Sequence, residues 1–179
     1  MTKINLVYQQ KISKEVIKSV CEKLNLVYEV KILTEELKEK PPSQAFNKIR
    51  MQYNSNRLLK FFSIRFKVEG DDRVMILIDE DAYVPGLNFV FGEAMSYWGG
   101  IVYLARLKHP TYELYIDRIA KEIVHELGHS YGLSHCKNPR CVMKFSNSIY
   151  DTDYKTMFYC KSCRGILEAK GLGYILKSY

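Results

Sequence analysis

Three of the four histidines of this 179-residue chain lie within eleven positions, in the pattern His125-Glu126-x-x-His129-x-x-Gly132-x-x-His135. At average residue usage, five fixed residues at these spacings arise by chance in a chain of this length with odds on the order of one in a hundred thousand. Imidazole and carboxylate groups at such spacings are typical of zinc chemistry. The stretch therefore predicts a metal site.

The spacing of the first two histidines predicts that they lie on a helix. The preceding residues carry apolar side chains at helical intervals between 116 and 127. Side chains four positions apart lie on one helix face, about 5–6 Å apart, so His125 and His129 can bind one metal ion. Glu126 lies beside that face and can reach a metal-activated water without binding the metal. This is the position of a general base in metal-assisted hydrolysis.

His135 can join the same site only if the helix ends before it. On a continuous helix, a residue six positions past His129 would face away, about 240° around the axis. Gly132 is placed to end the helix in a left-handed cap, a conformation that costs glycine no Cβ clash. Three histidine ligands leave the fourth tetrahedral position open to water, which is typical of a catalytic rather than a structural zinc.

Four of the five cysteines form a second candidate site, with the spacings C-x4-C and C-x2-C: Cys136, Cys141, Cys160 and Cys163. Paired spacings of this kind indicate a zinc site in a cytosolic protein, whereas two disulfides would need an oxidising compartment or a hyperthermophilic host. Neighbouring side chains in an extended segment point to opposite sides, so His135 and Cys136 can face two different metals. The sequence thus predicts two Zn²⁺ ions, one catalytic and one structural.

This stretch resembles a known family. The pattern HExxHxxGxxH followed by a Met turn, here at Met143, is the metzincin signature. The four cysteines make residues 122–163 similar to the archaemetzincins, small zinc peptidases with a second, four-cysteine zinc. The spacing between Met143 and Cys160 is one residue shorter than the family pattern, which we interpret as a loop deletion. The resemblance implies that an antiparallel edge strand binds the peptide, and the segment 88–94 is similar to that strand.

The expected fold class is α/β (α+β), and the resemblance implies a metzincin-like architecture. It has a twisted, mixed five-stranded sheet, three main helices and a small zinc-stapled C-terminal lobe. Hydrophobic patterns predict strands at 4–8, 26–33, 74–78, 88–94 and 101–107. They predict helices at 13–24, from 43 to about 62 and at 110–132, with a final helix opening at 160. We expect a single metallopeptidase domain, 1–179, with an N-terminal lobe at 1–132 and a C-terminal lobe at 133–179.

Composition limits the partners and the compartment. The content of apolar and charged residues, 47% and 26%, is ordinary for a globular protein. The net charge of +7 has no local basic block, so we interpret it as a lysine-rich surface and consider a nucleic-acid partner unlikely. No apolar run approaches the length of a membrane span, and the first residues lack a signal-peptide core. We expect a cytoplasmic monomer that acts on a peptide or protein substrate, with no membrane partner.

The preferred functional prediction is a zinc-dependent peptidase that hydrolyses peptide bonds with a metal-activated water and Glu126 as general base. One alternative is a zinc-stabilised binding protein, with nucleic acid as its candidate partner and little or no hydrolytic activity. Another is a different zinc hydrolase, such as a deamidase or deacetylase. Tyr150 and Tyr154 are candidates for assisting the reaction, and His109 is interpreted as a loop residue. We interpret residues 79–81, all acidic, as a solvated turn after a strand.

Overall fold

The computed structural model describes residues 1–178. The strands are β1 (Lys3–Gln9), β2 (Lys31–Leu37), β3 (Phe46–Asn47), β4 (Gln52–Asn54), β5 (Arg73–Ile78), β6 (Ala82–Tyr83), β7 (Gly92–Met95) and β8 (Gly99–Tyr103). The helices are α1 (Lys14–Leu24), α2 (Ser55–Arg65), α3 (Tyr112–Ser130), α4 (Ile149–Tyr154) and α5 (Lys161–Ala169). Short 3₁₀ turns lie at Ser43–Ala45 and Gly173–Ile175. Within 1–178, no helix is both long and apolar enough to cross a membrane.

The main sheet has five strands in the order β2-β1-β5-β8-β7. The first four are parallel, and β7 pairs antiparallel with β8 at one edge. The predicted mixed five-stranded sheet is therefore confirmed. A second, small sheet has the order β3-β4-β6. The predicted edge strand is shorter than expected, since only its last residues pair with β8 while 88–91 run on as a loop.

The first strand-helix-strand unit forms for the predicted reasons, with one shift. The Ser13 side chain accepts the backbone N–H of Val16 at 3.2 Å and so caps α1. The second strand begins at Lys31 rather than at 26. The reason is that backbone N–H groups of 26–28 bond back to the last carbonyls of α1, which prolongs the helix end as turns. As an edge strand, β2 carries its charged residues toward solvent.

The helix predicted from 43 to 62 is wrong in its first half. Residues 46–54 form a hairpin, and α2 begins only at Ser55, capped by the Asn54 side chain. The Asn47 side chain accepts two backbone N–H groups, of Ile49 and Arg50, each at 3.1 Å. Such a local bond offers the backbone an alternative to the helix. Met51 completes the turn at a φ of 54°, outside the helical region.

Two hydrophobic layers enclose the sheet. One layer joins it to α1, α3 and the C-terminal segment, and the other joins it to α2. β5 and β8 are buried along their whole length, as expected for central parallel strands with apolar runs. α3 thus lies against the sheet close to its β8–β7 edge, with which it packs. This placement brings the histidine pattern to the antiparallel edge strand.

Candidate active site

Helix α3 carries the first two histidines and ends as predicted. It stops at Ser130, and Gly132 then adopts a left-handed φ of 90°. The backbone N–H of Leu133 bonds back to the carbonyl of Gly128 at 2.9 Å, which closes the helix end. The chain reverses there and returns His135 to the face that carries the other two histidines.

The three imidazoles point toward a common centre. One ring nitrogen from each of His125, His129 and His135 lies within 4.8 Å of the others. The Nε2 atoms of His125 and His129 are 3.1 Å apart. Their opposite Nδ1 atoms bond to the carbonyls of Val142 and Leu133 at 2.7 and 2.8 Å. A hydrogen bond from Nδ1 to a carbonyl fixes the ring orientation and leaves the Nε2 lone pair directed at the common centre, as in metal-ligating histidines.

The electrostatic surroundings keep these imidazoles neutral, as a metal ligand requires. Burial lowers the pKa of His125 well below its ordinary value, and the positive charge of Lys155 adds to the effect. Burial also lowers the pKa values of His129 and His135. Three neutral nitrogen donors converging at a protein surface cleft fit zinc.

Glu126 lies beside the histidines in a space made by glycines of β7 and β8. It is 5% exposed. A Cβ atom at Gly92 would lie 2.6 Å from Glu126 Oε1, and one at Gly100 would lie 3.2 Å from its Cβ. Burial raises the pKa of the Glu126 carboxyl well above its ordinary value, and the nearby Glu122 carboxylate raises it further. A carboxylate with raised proton affinity is suited to general-base chemistry.

Met143, the predicted Met-turn residue, packs against α3 at Gly128, next to His129. It is fully buried, and a Cβ at Gly128 would lie only 2.3 Å from its sulfur. Gly128 is one of the two unspecified positions in HExxH, so its size matters although the motif does not name it. Sequence reasoning missed Gly92 and Gly128. Their signal is that glycine is rare inside strands and helices and usually marks a close approach there.

A cleft runs between the edge strand and the segment after Met143. One wall is 87–94, the floor is α3, and the other wall is 145–147. Phe145 lies against His135, with ring centroids 5.0 Å apart. Among residues 1–178, β7 pairs with β8 alone, so its other side offers backbone groups to an extended chain.

The four cysteines form a separate cluster, with their sulfurs within 4.8 Å of one another. Cys136 and Cys160 are 3.7 Å apart, as are Cys141 and Cys163. A disulfide needs about 2.05 Å between its sulfurs, so these thiols are not bonded in pairs. The backbone N–H of Cys160 donates to the Cys141 sulfur at 3.3 Å. Four sulfur donors at these distances fit a closed tetrahedral zinc site.

Other residues singled out in the sequence lie apart from both clusters. His109 is exposed in a loop, where its Nδ1 accepts the Thr111 N–H at 3.0 Å. Tyr150 and Tyr154 are 79% and 59% exposed and do not line the cleft. The acidic residues 79–81 pair with lysine and arginine side chains, which agrees with a turn rather than a cation site.

Comparisons with known proteins agree with this geometry. Residues 1–169 match the profile of Peptidase family M54. The archaemetzincin of Methanopyrus kandleri is 44% identical over 130 residues, covering 72% of this chain and 73% of the relative. That of Sulfolobus acidocaldarius is 42% identical over 127 residues, covering 68% and 71%. The crystal structure of the M. kandleri protein is similar with a TM-score of 0.83, at 38% identity over 94% of each chain. The malonate complex of the Archaeoglobus fulgidus archaemetzincin gives 0.75, at 30% identity over 92% of this chain and 99% of that one.

Proposed function

We propose a mechanism on the premise that this chain belongs to Peptidase family M54, the archaemetzincins, and is a zinc-dependent peptidase. Membership in this family disfavours the alternative of a zinc-stabilised binding protein without hydrolytic activity. The single observation that carries the mechanism is the buried Glu126 carboxyl beside three converging imidazoles.

We propose that the chain holds two Zn²⁺ ions. His125, His129 and His135 would hold the catalytic ion, and the second, structural ion would be held by Cys136, Cys141, Cys160 and Cys163. The number of donors supports this division, because three nitrogens leave a position open and four sulfurs do not. A zinc ion at the histidines supplies a Lewis acid that lowers the pKa of water toward about 7 and polarises a carbonyl.

Glu126 is the proposed general base. Its Oε1 accepts a proton from the attacking water and then delivers that proton to the nitrogen of the leaving amine. Burial supports the first step, because it raises the affinity of the carboxylate for a proton. Gly92 leaves the room that this carboxylate occupies.

The proposed substrate is an extended segment of a peptide or protein, bound along β7. The free side of this strand supplies main-chain hydrogen bonds to any sequence, and side chains of the two cleft walls supply preference. Apolar side chains prevail in the walls: Leu87, Phe89, Val90, Phe91 and Phe145. The cleft thus favours apolar side chains near the scissile bond.

The proposed working unit is a monomer with one domain, because residues of a single chain build both clusters. The lobe at 1–132 provides the sheet and α3, and the lobe at 133–179 provides the cysteine cluster. A cytoplasmic location is supported by the four unbonded thiols, which a reducing compartment preserves.

The test of this mechanism is Glu126→Gln, which keeps the size of the side chain and removes the base. We expect zinc content to stay at the wild-type value while hydrolysis of a mixed peptide library falls by about 10²–10⁴-fold, the usual contribution of general-base catalysis. Turnover of the same peptides at the wild-type rate would overturn the role of Glu126. The control is Glu113→Gln at the exposed start of α3.

A further inference from the structure

Lys155 carries a charged side chain that is completely buried near the active site. Its side chain is 0% exposed, and it follows directly after α4. A buried ammonium group is strongly unfavourable unless it is paired and hydrogen-bonded. In the described part of the chain, Lys155 Nζ pairs with the Glu122 carboxylate at 3.1 Å and donates to the Lys144 carbonyl at 3.4 Å. These two contacts join different sides of the active site.

The Glu122 contact reaches the catalytic face of α3. Glu122 lies one turn before Glu126, and residues four apart share a helix face. Its carboxylate is 4% exposed and also accepts the Thr152 hydroxyl at 3.0 Å. Glu122 belongs to the lining of the cleft. The Glu122 carboxylate that pairs with Lys155 thus belongs to α3, the helix that carries His125 and Glu126.

The Lys144 contact reaches the opposite wall. Lys144 follows Met143 and directly precedes 145–147, the wall that faces the edge strand across the cleft. The far end of this wall is also held, since the Asp151 carboxylate accepts the backbone N–H groups of Asn147 and Ser148, each at 3.0 Å. Residues 145–147 therefore span two anchors, and Lys155 supplies the one nearer the histidines.

We propose that Lys155 is a positioning residue for peptide hydrolysis, which holds the wall 145–147 at a fixed distance from the catalytic face of α3. The inference rests on the proposed use of this cleft by the substrate. The wall and β7 together fix the peptide between them. A displacement of about 1 Å at a reacting centre can lower the rate by roughly 10²-fold.

The informative variant combines Lys155→Met with Glu122→Gln. Lys155→Met alone leaves the Glu122 carboxylate buried without its cation, so it can fail to fold for that reason. The double variant carries no buried charge at this pair, and the glutamine oxygen still accepts from Thr152. We expect it to fold and to hold as much zinc as the wild type. We also expect kcat/KM lowered by about 10–100-fold and faster amide exchange at 144–147.

Lys121→Met is the matched control. Lys121, on α3, is also a buried lysine and is 8% exposed. Its ammonium group donates to the carbonyls of Thr152 and Asp153 at 3.1 and 3.2 Å. It joins α3 to α4 without touching Lys144. We expect this variant to melt at a lower temperature while kcat/KM and the exchange at 144–147 stay close to wild type.

Two results would overturn the proposal. If the double variant has wild-type kcat/KM and wild-type exchange at 144–147, Lys155 only neutralises Glu122. If Lys121→Met lowers kcat/KM as much as the double variant, the effect belongs to the whole α3–α4 contact. Failure of the proposed mechanism has a different signature. In that case Glu126→Gln remains active, whereas the exchange of the wall still reports the Lys155 anchor.

Discussion

The histidine and cysteine clusters are built from different kinds of structure. Two of the three histidines stand on a long helix packed against the sheet, and their cluster opens onto a cleft with a buried carboxylate beside it. The cysteine cluster stands on turns and on the start of α5, with backbone N–H groups directed at its sulfurs. The difference separates a rigid site with room for a reactant from a closed site that ties chain segments together.

The two clusters are nonetheless joined by one peptide unit, because His135 and Cys136 are adjacent. The backbone N–H of Cys136 also donates to the carbonyl of Met143 at 2.9 Å, which ties this unit to the Met turn. Loss of order at the cysteines therefore reaches the histidines, whereas the helix-borne histidines have their own support. Variants in the two clusters should accordingly differ in their effects.

The largest expected effect is that of Cys160→Ser. This variant should lose the proposed structural zinc and, through His135, most of the proposed catalytic zinc and the activity. Structural zinc sites contribute many kcal/mol to small folds, and here we expect a loss of about 3–5 kcal/mol, because the segment also packs into the main core. This corresponds to a melting temperature lower by roughly 10 °C. Calorimetry measures the melting temperature, and elemental analysis measures the zinc content.

His129→Ala is the matched comparison for Cys160→Ser. It should remove one of the two proposed zinc ions per chain and abolish hydrolysis, with a far smaller change in melting temperature. Full zinc content and an unchanged melting temperature in Cys160→Ser would contradict the structural role of the cysteines. One zinc in both the wild type and His129→Ala would contradict the catalytic site.

A smaller and more specific effect is expected from Gly92→Ala. The added methyl group would lie 2.6 Å from Glu126 Oε1 and 2.8 Å from the Ile101 carbonyl, so the carboxylate must move. We expect kcat to fall by about 10²-fold, with zinc content unchanged. Gly165→Ala is a suitable control, because a Cβ there meets nothing within 4 Å. Equal kcat in the Gly92 variant and wild type would show that the position of the Glu126 carboxylate does not depend on the missing side chain at Gly92.

The convergence of the three histidines could be predicted from the sequence because local geometry brings them together. Spacing by four on a helix, a glycine at its end and two adjacent ligands determine most of the histidine site without knowledge of the remaining fold. The roles of Gly92 and Lys155 depend instead on strands and loops that approach from elsewhere in the chain. Contacts between distant segments leave no periodic pattern in the sequence, so periodicity and motif spacing do not identify these residues.

The fold shows the same division. β5 was predicted correctly, since a buried central strand is apolar throughout. The segment 46–54 forms a hairpin although its apolar residues recur at helical spacing, which predicts a helix. There Phe46 and Tyr53 instead face each other across the two strands, with ring centroids 5.0 Å apart. Cross-strand pairs of this kind and the Asn47 turn decided the structure, and neither follows from hydrophobic periodicity.

The smallest expected effects are those of Tyr150→Phe and Tyr154→Phe. A tyrosine that assisted the reaction would have to reach the cleft, and both side chains are exposed on α4 outside its lining. We expect kcat/KM to change less than about twofold in either variant, since exposed substitutions away from a site alter free energies by less than about 0.5 kcal/mol. A loss of tenfold or more in one variant would mean that α4 moves toward the cleft when a peptide binds. In that event the wall at 145–147, which Lys155 is proposed to hold, would have to move with α4.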